Sequence, residues 1–246
     1  MNPWPFGDLK RKAAGGMNHR VEKLADGVEL HLGDCREILL GLDHFDAVIT
    51  DPVWPNAPDG MFPDVDDPCA LLRSALSLVR PARIAIIIRS DSDPRFLTAV
   101  PARFRFVRHQ NLFYACPGHI GRVLGGIEVV YGFGSVIPSR PGQRVIAGNG
   151  PTVQPSEKFD HPCQRNIEHM KFVVRWWSEP EESILDPFMG SGTTGVAAVK
   201  LSRRFTGIEI EPRYFDIACR RIEAALKQPD FFVERPAPAK QEAFEI

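Results

Sequence analysis

The sequence lacks the marks of several protein classes. Its 246 residues include five cysteines, at 35, 69, 116, 163 and 219, and no Cys-x-x-Cys pair, so neither a disulfide framework nor a cysteine zinc site is indicated. No unbroken apolar run exceeds Ile84 to Ile88, against the ~18 residues of a membrane span, and no membrane partner is expected. With no signal-like N-terminus and an odd number of cysteines, the expectation is free thiols in a reducing, cytoplasmic setting. What is present is globular: 43% hydrophobic and 25% charged residues, over a length sufficient for a core that needs no staple.

Lysine is missing from residues 83–144, where nine arginines (83, 89, 95, 103, 105, 108, 122, 140, 144) face only Asp91, Asp93 and Glu128, a balance of +6. Since the whole chain has a net charge of −1, the remainder carries −7. Arginine concentrated in one stretch suits phosphate contacts, because the guanidinium fork matches phosphate geometry. The competing reading is that several of these arginines cap helices or lie on solvated faces.

Residues 1–27 show little hydrophobic periodicity and a Gly-Gly pair, and are expected to be an arm. From Val28 the pattern alternates strand with helix: strands at 28–32, 45–50, 83–89, 183–186 and 205–210, and helices at 34–42, 70–79, 166–177, 193–201 and 213–227. The first three segments read as a βαβ unit. Strands at 104–115 and 127–133 suggest an antiparallel hairpin at a sheet edge, and 134–160 is a Pro- and Gly-rich loop. The expectation is a doubly wound, three-layer α/β/α Rossmann-like sheet spanning 28–226, followed by a tail at 227–246. The pair Trp176-Trp177 reads as packing, and His109, His119 and His169 as structural, with no metal-ligand spacing among them.

Two strand ends carry chemistry. In ILDPFMGSGTTG a buried strand leads to Asp186, a turn with Gly190 and Gly192, and a helix starting at Thr193-Thr194; glycines let a ligand approach the backbone, and the helix start offers free N–H groups. The lysine of a phosphate-binding P-loop is absent, which argues against nucleotide hydrolysis. Glu209, 23 residues after Asp186 at the end of the next strand, stands where an acid accepts hydrogen bonds from ribose hydroxyls, so the pair reads as an adenosine-containing cofactor site. The glycines do not fit G-x-G-x-x-G, which disfavours a nicotinamide dehydrogenase. The other strand end is Asp51-Pro52-Val53-Trp54.

The segment ILDPFMGSGTTGVAAVKLSRRFTGIEIEPRYFDIACRRI resembles the cofactor segment of S-adenosylmethionine-dependent DNA amino-methyltransferases acting on adenine N6 or cytosine N4. HPCQRNIEHMKFVVRW resembles that family's H-P-x-Q-K-P segment, GDCREIL its G-D strand end, DAVITDPVW its D-P-P-[YWF] catalytic motif, and EVVYGFG the strand before its recognition loop. The catalytic motif precedes the cofactor motif, the circularly permuted order called the β class. The resemblance implies S-adenosylmethionine as cofactor, with Asp34 near its adenine, Cys35 beside that site and Glu209 at the ribose. Asp186, Phe188, Gly190, Ser191, Gly192, Thr193 and Thr194 would surround the methionine part, Asp51 the methyl group, and His161, Gln164 and Arg165 would close that side.

The implied reaction is methyl transfer to an exocyclic amine of a base flipped out of duplex DNA. Asp51 and the Pro52 carbonyl would accept the amine N–H groups and aim its lone pair, while Trp54 would offer a stacking face. No covalent enzyme intermediate is needed, so no cysteine is required as nucleophile. By the resemblance Asp51 favours adenine N6, because family members acting on cytosine N4 more often carry serine there, and cytosine N4 is the alternative. Recognition would fall to residues 116–160, with Arg122, Arg140, Gln143 and Arg144 as candidate DNA contacts, and a homodimer is expected by resemblance. Two departures stand out: Val53 replaces a proline, which frees the φ angle and keeps an N–H, and Arg165-Asn166 replace Lys-Pro. A cofactor-binding subunit without turnover is the rival that Val53 raises.

Overall fold

The computed structural model describes residues 19–42, 44–57, 65–115, 127–137, 150–153 and 165–228. In chain order the elements are β1 (Arg20–Ala25), β2 (Val28–Leu32), α1 (Cys35–Ile38), β3 (Ala47–Thr50), α2 (Pro68–Leu78), β4 (Arg83–Arg89), β5 (Phe106–Tyr114) and β6 (Ile127–Gly134). There follow β7 (Thr152–Val153), α3 (Ile167–Trp177), β8 (Ser183–Asp186), α4 (Thr193–Lys200), β9 (Arg204–Glu209) and α5 (Pro212–Lys227).

Local chemistry sets several of these boundaries. The side chains of Asp67, Asn166 and Glu211 accept backbone N–H groups at the starts of α2, α3 and α5, and Pro68 and Pro212 occupy first-turn positions where a missing donor does no harm. Arg103 donates to the carbonyls of Leu76 (3.1 Å) and Val79 (2.8 Å), closing the far end of α2. The unbroken apolar runs of β3 and β4 are those of strands covered on both faces.

All nine strands form one sheet in the order β1-β2-β9-β8-β3-β4-β6-β5-β7. From β2 to β4 neighbours run parallel; β1 and β6 are antiparallel to their neighbours in that block. One core, between the sheet and α3, α4 and α5, joins Ile49, Val130, Val173, Val196 and Phe215. The other lies under α1 and α2 and joins Val48, Leu72, Leu76, Ile86 and Ile208. The helices after β3 and after β8 thus lie on opposite faces of two adjacent strands, which makes the β3/β8 boundary the topological switch point where a ligand crevice opens.

The doubly wound three-layer expectation holds, with three corrections. Residues 20–25 of the expected arm form β1, because Val21 to Ala25 can pair with β2 around the Gly27 turn. The segment β2-α1-β3 is not a βαβ unit of neighbours: β9 and β8, from much later in the chain, lie between the two strands. The hairpin β5/β6 is antiparallel as expected, but β7, from within the expected loop, pairs parallel to β5 and covers that edge. The tail and most of 134–160 lie outside the described residues.

Trp176 and Trp177 are buried and pack against Gly132 of β6, where an added Cβ would meet Trp177 ring atoms at 2.7 Å. His169, fully buried, contacts the Phe113 and Pro151 carbonyls through Nε2 at 3.0 Å and is structural. Gly132→Ala is expected to destabilise the fold by about 1–3 kcal/mol in urea unfolding through this overpacking. Gly41→Ala, with open space around the new methyl group, should change stability by less than about 0.5 kcal/mol.

Candidate active site

The C-terminal ends of β3 and β8, adjacent at the switch point, carry Asp51-Pro52 and the turn from Asp186 to Gly192. They are bonded to each other through Asp186. Its Oδ1 accepts the Thr50 hydroxyl (2.8 Å) and the Phe188 N–H (3.1 Å), and its Oδ2 accepts the Thr194 hydroxyl (2.6 Å). Burial pushes the Asp186 carboxyl up to about 6, against these three donors, which favour the ionised form. Asp186 therefore shapes the turn.

The same holds for several neighbours expected around a ligand. Ser191, Thr193 and Thr194 are buried; Arg221 of α5 donates through Nη1 to the Ser191 carbonyl, the Ser191 hydroxyl (2.9 Å) and the Thr193 hydroxyl (3.1 Å). Gly190 and Gly192 take left-handed conformations (φ 52 and 78), and a Cβ on Gly192 would lie 2.8 Å from that of Ala218. Glycine there brings the turn close to α5. Phe188 packs on the α1/α2 core. These side chains hold a backbone turn at the start of α4, and a ligand would meet the turn's main chain.

Glu209 ends β9, beside that turn. Its Oε2 accepts the Gly190 N–H (2.9 Å) and its Oε1 the Glu211 N–H (2.8 Å), with the Ile210 N–H as a further donor, so of about four lone-pair sites one stays open among the described residues. Burial pushes its carboxyl up to about 7, with the N–H donors pulling the other way. The next residue, Ile210, is an apolar side chain 51% exposed. Gly33, with φ 149, donates its N–H to the Glu209 carbonyl (2.8 Å) and so brings Asp34 alongside. Asp34 caps α1 and pairs with Arg36, which holds its carboxyl below the usual range. Cys35 is buried and its thiol is pushed up to about 12 by that burial, so it offers no thiolate.

Asp51 is the centre of a second cluster. Oδ1 accepts the Trp54 indole N–H (3.2 Å) and Nη2 of Arg165 (2.8 Å), and Oδ2 accepts Nε of Arg165. The Arg165 guanidinium also lies over the Trp54 ring, 4.7 Å from its centroid, and its Nη1 pairs with Oε1 of Glu128. The Tyr114 hydroxyl donates to the same Oε1 (3.3 Å). Burial works against the charge on Arg165, but Asp51 beside it more than compensates and the pKa rises. A carboxylate has about four lone-pair sites, and three on Asp51 are engaged among the described residues, so Oδ2 keeps one. The Pro52 carbonyl accepts no hydrogen bond among the described residues.

The sequence-derived set is therefore divided. Asp51, Pro52, Trp54 and Arg165 come together, as do Glu209 and the turn at 190–194. Arg165 proves to be bound to the Asp51 carboxylate. The guanidinium lies over the Trp54 ring, the aromatic face on which a base is expected to stack. Glu128, Tyr114, Thr50 and Arg221 were missed. His161, Gln164, Arg122, Arg140, Gln143 and Arg144 lie outside the described residues. Of the other arginines in the basic stretch, Arg83 pairs with Glu182, Arg89 with Asp91 and Arg95 with Asp93, while Arg103 caps α2. The pairs with Asp91 and Asp93 are already counted in the balance of +6, so among the described residues Arg83 and Arg103 are the members of the excess committed to the fold. Cys35, Cys69 and Cys219 are free thiols, and among the described residues there is no metal-ligand cluster and no helix long and apolar enough to cross a membrane.

An acid-ended strand beside a glycine turn, with a second carboxylate at the end of a strand of the same sheet, frames a ligand crevice. Residues 113–220 match the N6_N4_Mtase family model, described as DNA methylase. Over 64 residues the chain is 45% identical to the type II methyltransferase M2.DpnII of Streptococcus pneumoniae, and over 69 residues 39% identical to the DNA adenine methyltransferase YhdJ of Escherichia coli K12. These matches take in 26% and 28% of this chain, and each spans about a quarter of the relative's length (24%). The crystal structure of the M1.HpyAVI–SAM complex superposes with a TM-score of 0.60 at 24% identity, covering 78% of this chain and 98% of that one, which establishes the fold.

Thr50→Val keeps the shape of the side chain but removes one of the three donors to Asp186. It should cost about 1–3 kcal/mol in urea unfolding at pH 8, where the carboxyl is ionised, and raise the Asp186 pKa further.

Proposed function

We propose that this chain is an S-adenosylmethionine-dependent DNA methyltransferase that transfers a methyl group to the exocyclic N6 of adenine in duplex DNA. The observation that carries the reading is Asp51 at the end of central strand β3, one acceptor site still open on Oδ2, beside the Pro52 carbonyl and next to the β8 turn. The similarity of short segments to M2.DpnII and YhdJ supports it.

The residues fit the cofactor. Glu209 keeps an acceptor site for a ribose hydroxyl, Ile210 offers an exposed apolar face for an adenine ring, and the turn from Gly190 lets a ligand reach the main chain. When bound, S-adenosylmethionine supplies an activated methyl group on a sulfonium.

An exocyclic amine is a weak nucleophile because its lone pair is delocalised into the ring. Hydrogen bonds from its two N–H groups to Oδ2 of Asp51 and to the Pro52 carbonyl draw the nitrogen toward tetrahedral geometry and fix the direction of its lone pair. The carboxylate also stabilises the positive charge that develops on nitrogen and can take the departing proton. Trp54 would supply the stacking face for a base flipped out of the duplex. Val53 leaves these three groups in place.

Digestion of unmethylated genomic DNA to nucleosides after incubation with the protein and S-adenosylmethionine should show N6-methyladenine by mass spectrometry, and Asp51→Ala should lower the yield at least about a hundredfold. N4-methylcytosine in its place would overturn the base assignment. Cofactor binding with no methylated base would point to the subunit without turnover.

Cofactor affinity should depend on pH through Glu209. Its ionised form accepts a ribose hydroxyl, and with its pKa pushed up to about 7 that form is lost as pH falls through neutrality. Calorimetric titration with S-adenosylmethionine should show affinity falling by about tenfold per unit well below pH 7 until a second group titrates, and Glu209→Gln should flatten that limb.

A further inference from the structure

We infer that Arg165 is a stand-in for the target base, and that Glu128 is the positioning residue that receives Arg165 when a base arrives. The inference rests on the proposed function for the identity of the incoming group. In the free protein a planar group already lies over the Trp54 ring and donates to both oxygens of Asp51. Those are the stacking and donor contacts that a flipped amino base would make. The two groups cannot share one face of Trp54, so arrival of the base requires Arg165 to leave.

Glu128 is built to take it. The residue is only 8% exposed; its Oε1 already pairs with Nη1 of Arg165, and its Oε2 is buried with no partner among the described residues. A buried carboxylate oxygen without a donor is rare in a folded protein, and here it forms half of a two-pronged seat for a guanidinium. Turning about the existing Nη1 contact would bring a second nitrogen onto Oε2, so the buried charge stays paired throughout.

The surroundings keep that seat open. Arg89, level with Glu128 across the β4/β6 ladder, is turned to Asp91 by two hydrogen bonds (2.9 and 2.8 Å). Tyr114, half-buried, bonds among the described residues the oxygen already in use. Among the described residues the charged and titratable groups around Arg165 are thus Asp51, Glu128, Tyr114 and, farther off, His169, and of the two carboxylates Glu128 has an oxygen with no donor at all.

The consequence is a competition at Asp51. A group that both stacks on Trp54 and donates an N–H to Asp51 displaces the guanidinium; one that does only one of these leaves it in place. Lysine at this position could neither stack as a plane nor donate in a fork.

Two measurements test this. The first is structural and needs no activity: in a crystal structure of Asp51→Asn, both Nη atoms of Arg165 should lie within about 3.2 Å of the two Glu128 oxygens and off the Trp54 ring. A guanidinium still on Trp54 and residue 51 overturns the inference. The second is a double-mutant cycle of methyl transfer to unmethylated genomic DNA. Glu128→Gln should lower kcat/KM for DNA by about tenfold or more while calorimetric affinity for S-adenosylmethionine is unchanged, and in an Arg165→Ala background the same change should cost less than about twofold. An equal cost in both backgrounds, no cost in the wild type, or an Arg165→Ala enzyme without transfer would each overturn it. If the wild type transfers no methyl group, the proposed function fails, and the crystal structure alone decides whether Arg165 has its second seat.

Discussion

One buried carboxylate holds the crevice together. Asp186 collects a hydroxyl from the end of β3, an N–H from its own turn and a hydroxyl from the first turn of α4, so two strands and a helix are fixed relative to one another by a single side chain. Its charge is buried, and the protein tolerates this only because the three donors replace the lost water. Everything that a ligand would meet on either side depends on that arrangement: Asp51 follows Thr50 directly, and the glycine turn follows Asp186. At the opposite ends of the same two strands Asp46 repeats the device, its Oδ2 accepting the N–H (2.8 Å) and hydroxyl (2.7 Å) of Ser183.

Periodicity made the parallel strands and their helices legible, because strands covered on both faces read as apolar runs and the helices begin at Asp, Asn or Glu caps. It could not reveal sheet order. Nothing in residues 28–50 shows that two strands from the far end of the chain separate β2 from β3; the order of the motifs was the only hint. Strand β1 escaped because its residues alternate with little apolar content, its outer face being exposed.

The site was legible in its main carboxylates and glycines and illegible in its supports. Asp51 and Glu209 stand at strand ends, where position alone marks them. Glu128 was visible as the lone acid near the end of an arginine-rich stretch, and that isolation was the available signal, but a charge count cannot say that a residue is buried beside Asp51. The arginine excess was misleading in the same way. Arg83 serves Glu182 and Arg103 serves the carbonyls that end α2, so one-dimensional charge density overstated by two the arginines left for phosphates.

The interleaved strand order also bears on how the chain reaches its fold. Val28 pairs with Phe205, 177 positions later, and Ala47 pairs with Ile184, so the two halves of the parallel block have no direct ladder between them until the last third of the described chain is in place. Contacts this remote in sequence are slow to form, since a long loop must close before any of them is gained. During synthesis β2 and β3 would each wait with an unpaired edge, and β8 and β9 would then enter as a wedge that unites them. The crevice is for this reason among the last parts of the molecule to exist, and a nascent chain holds Asp51 well before it holds a binding site.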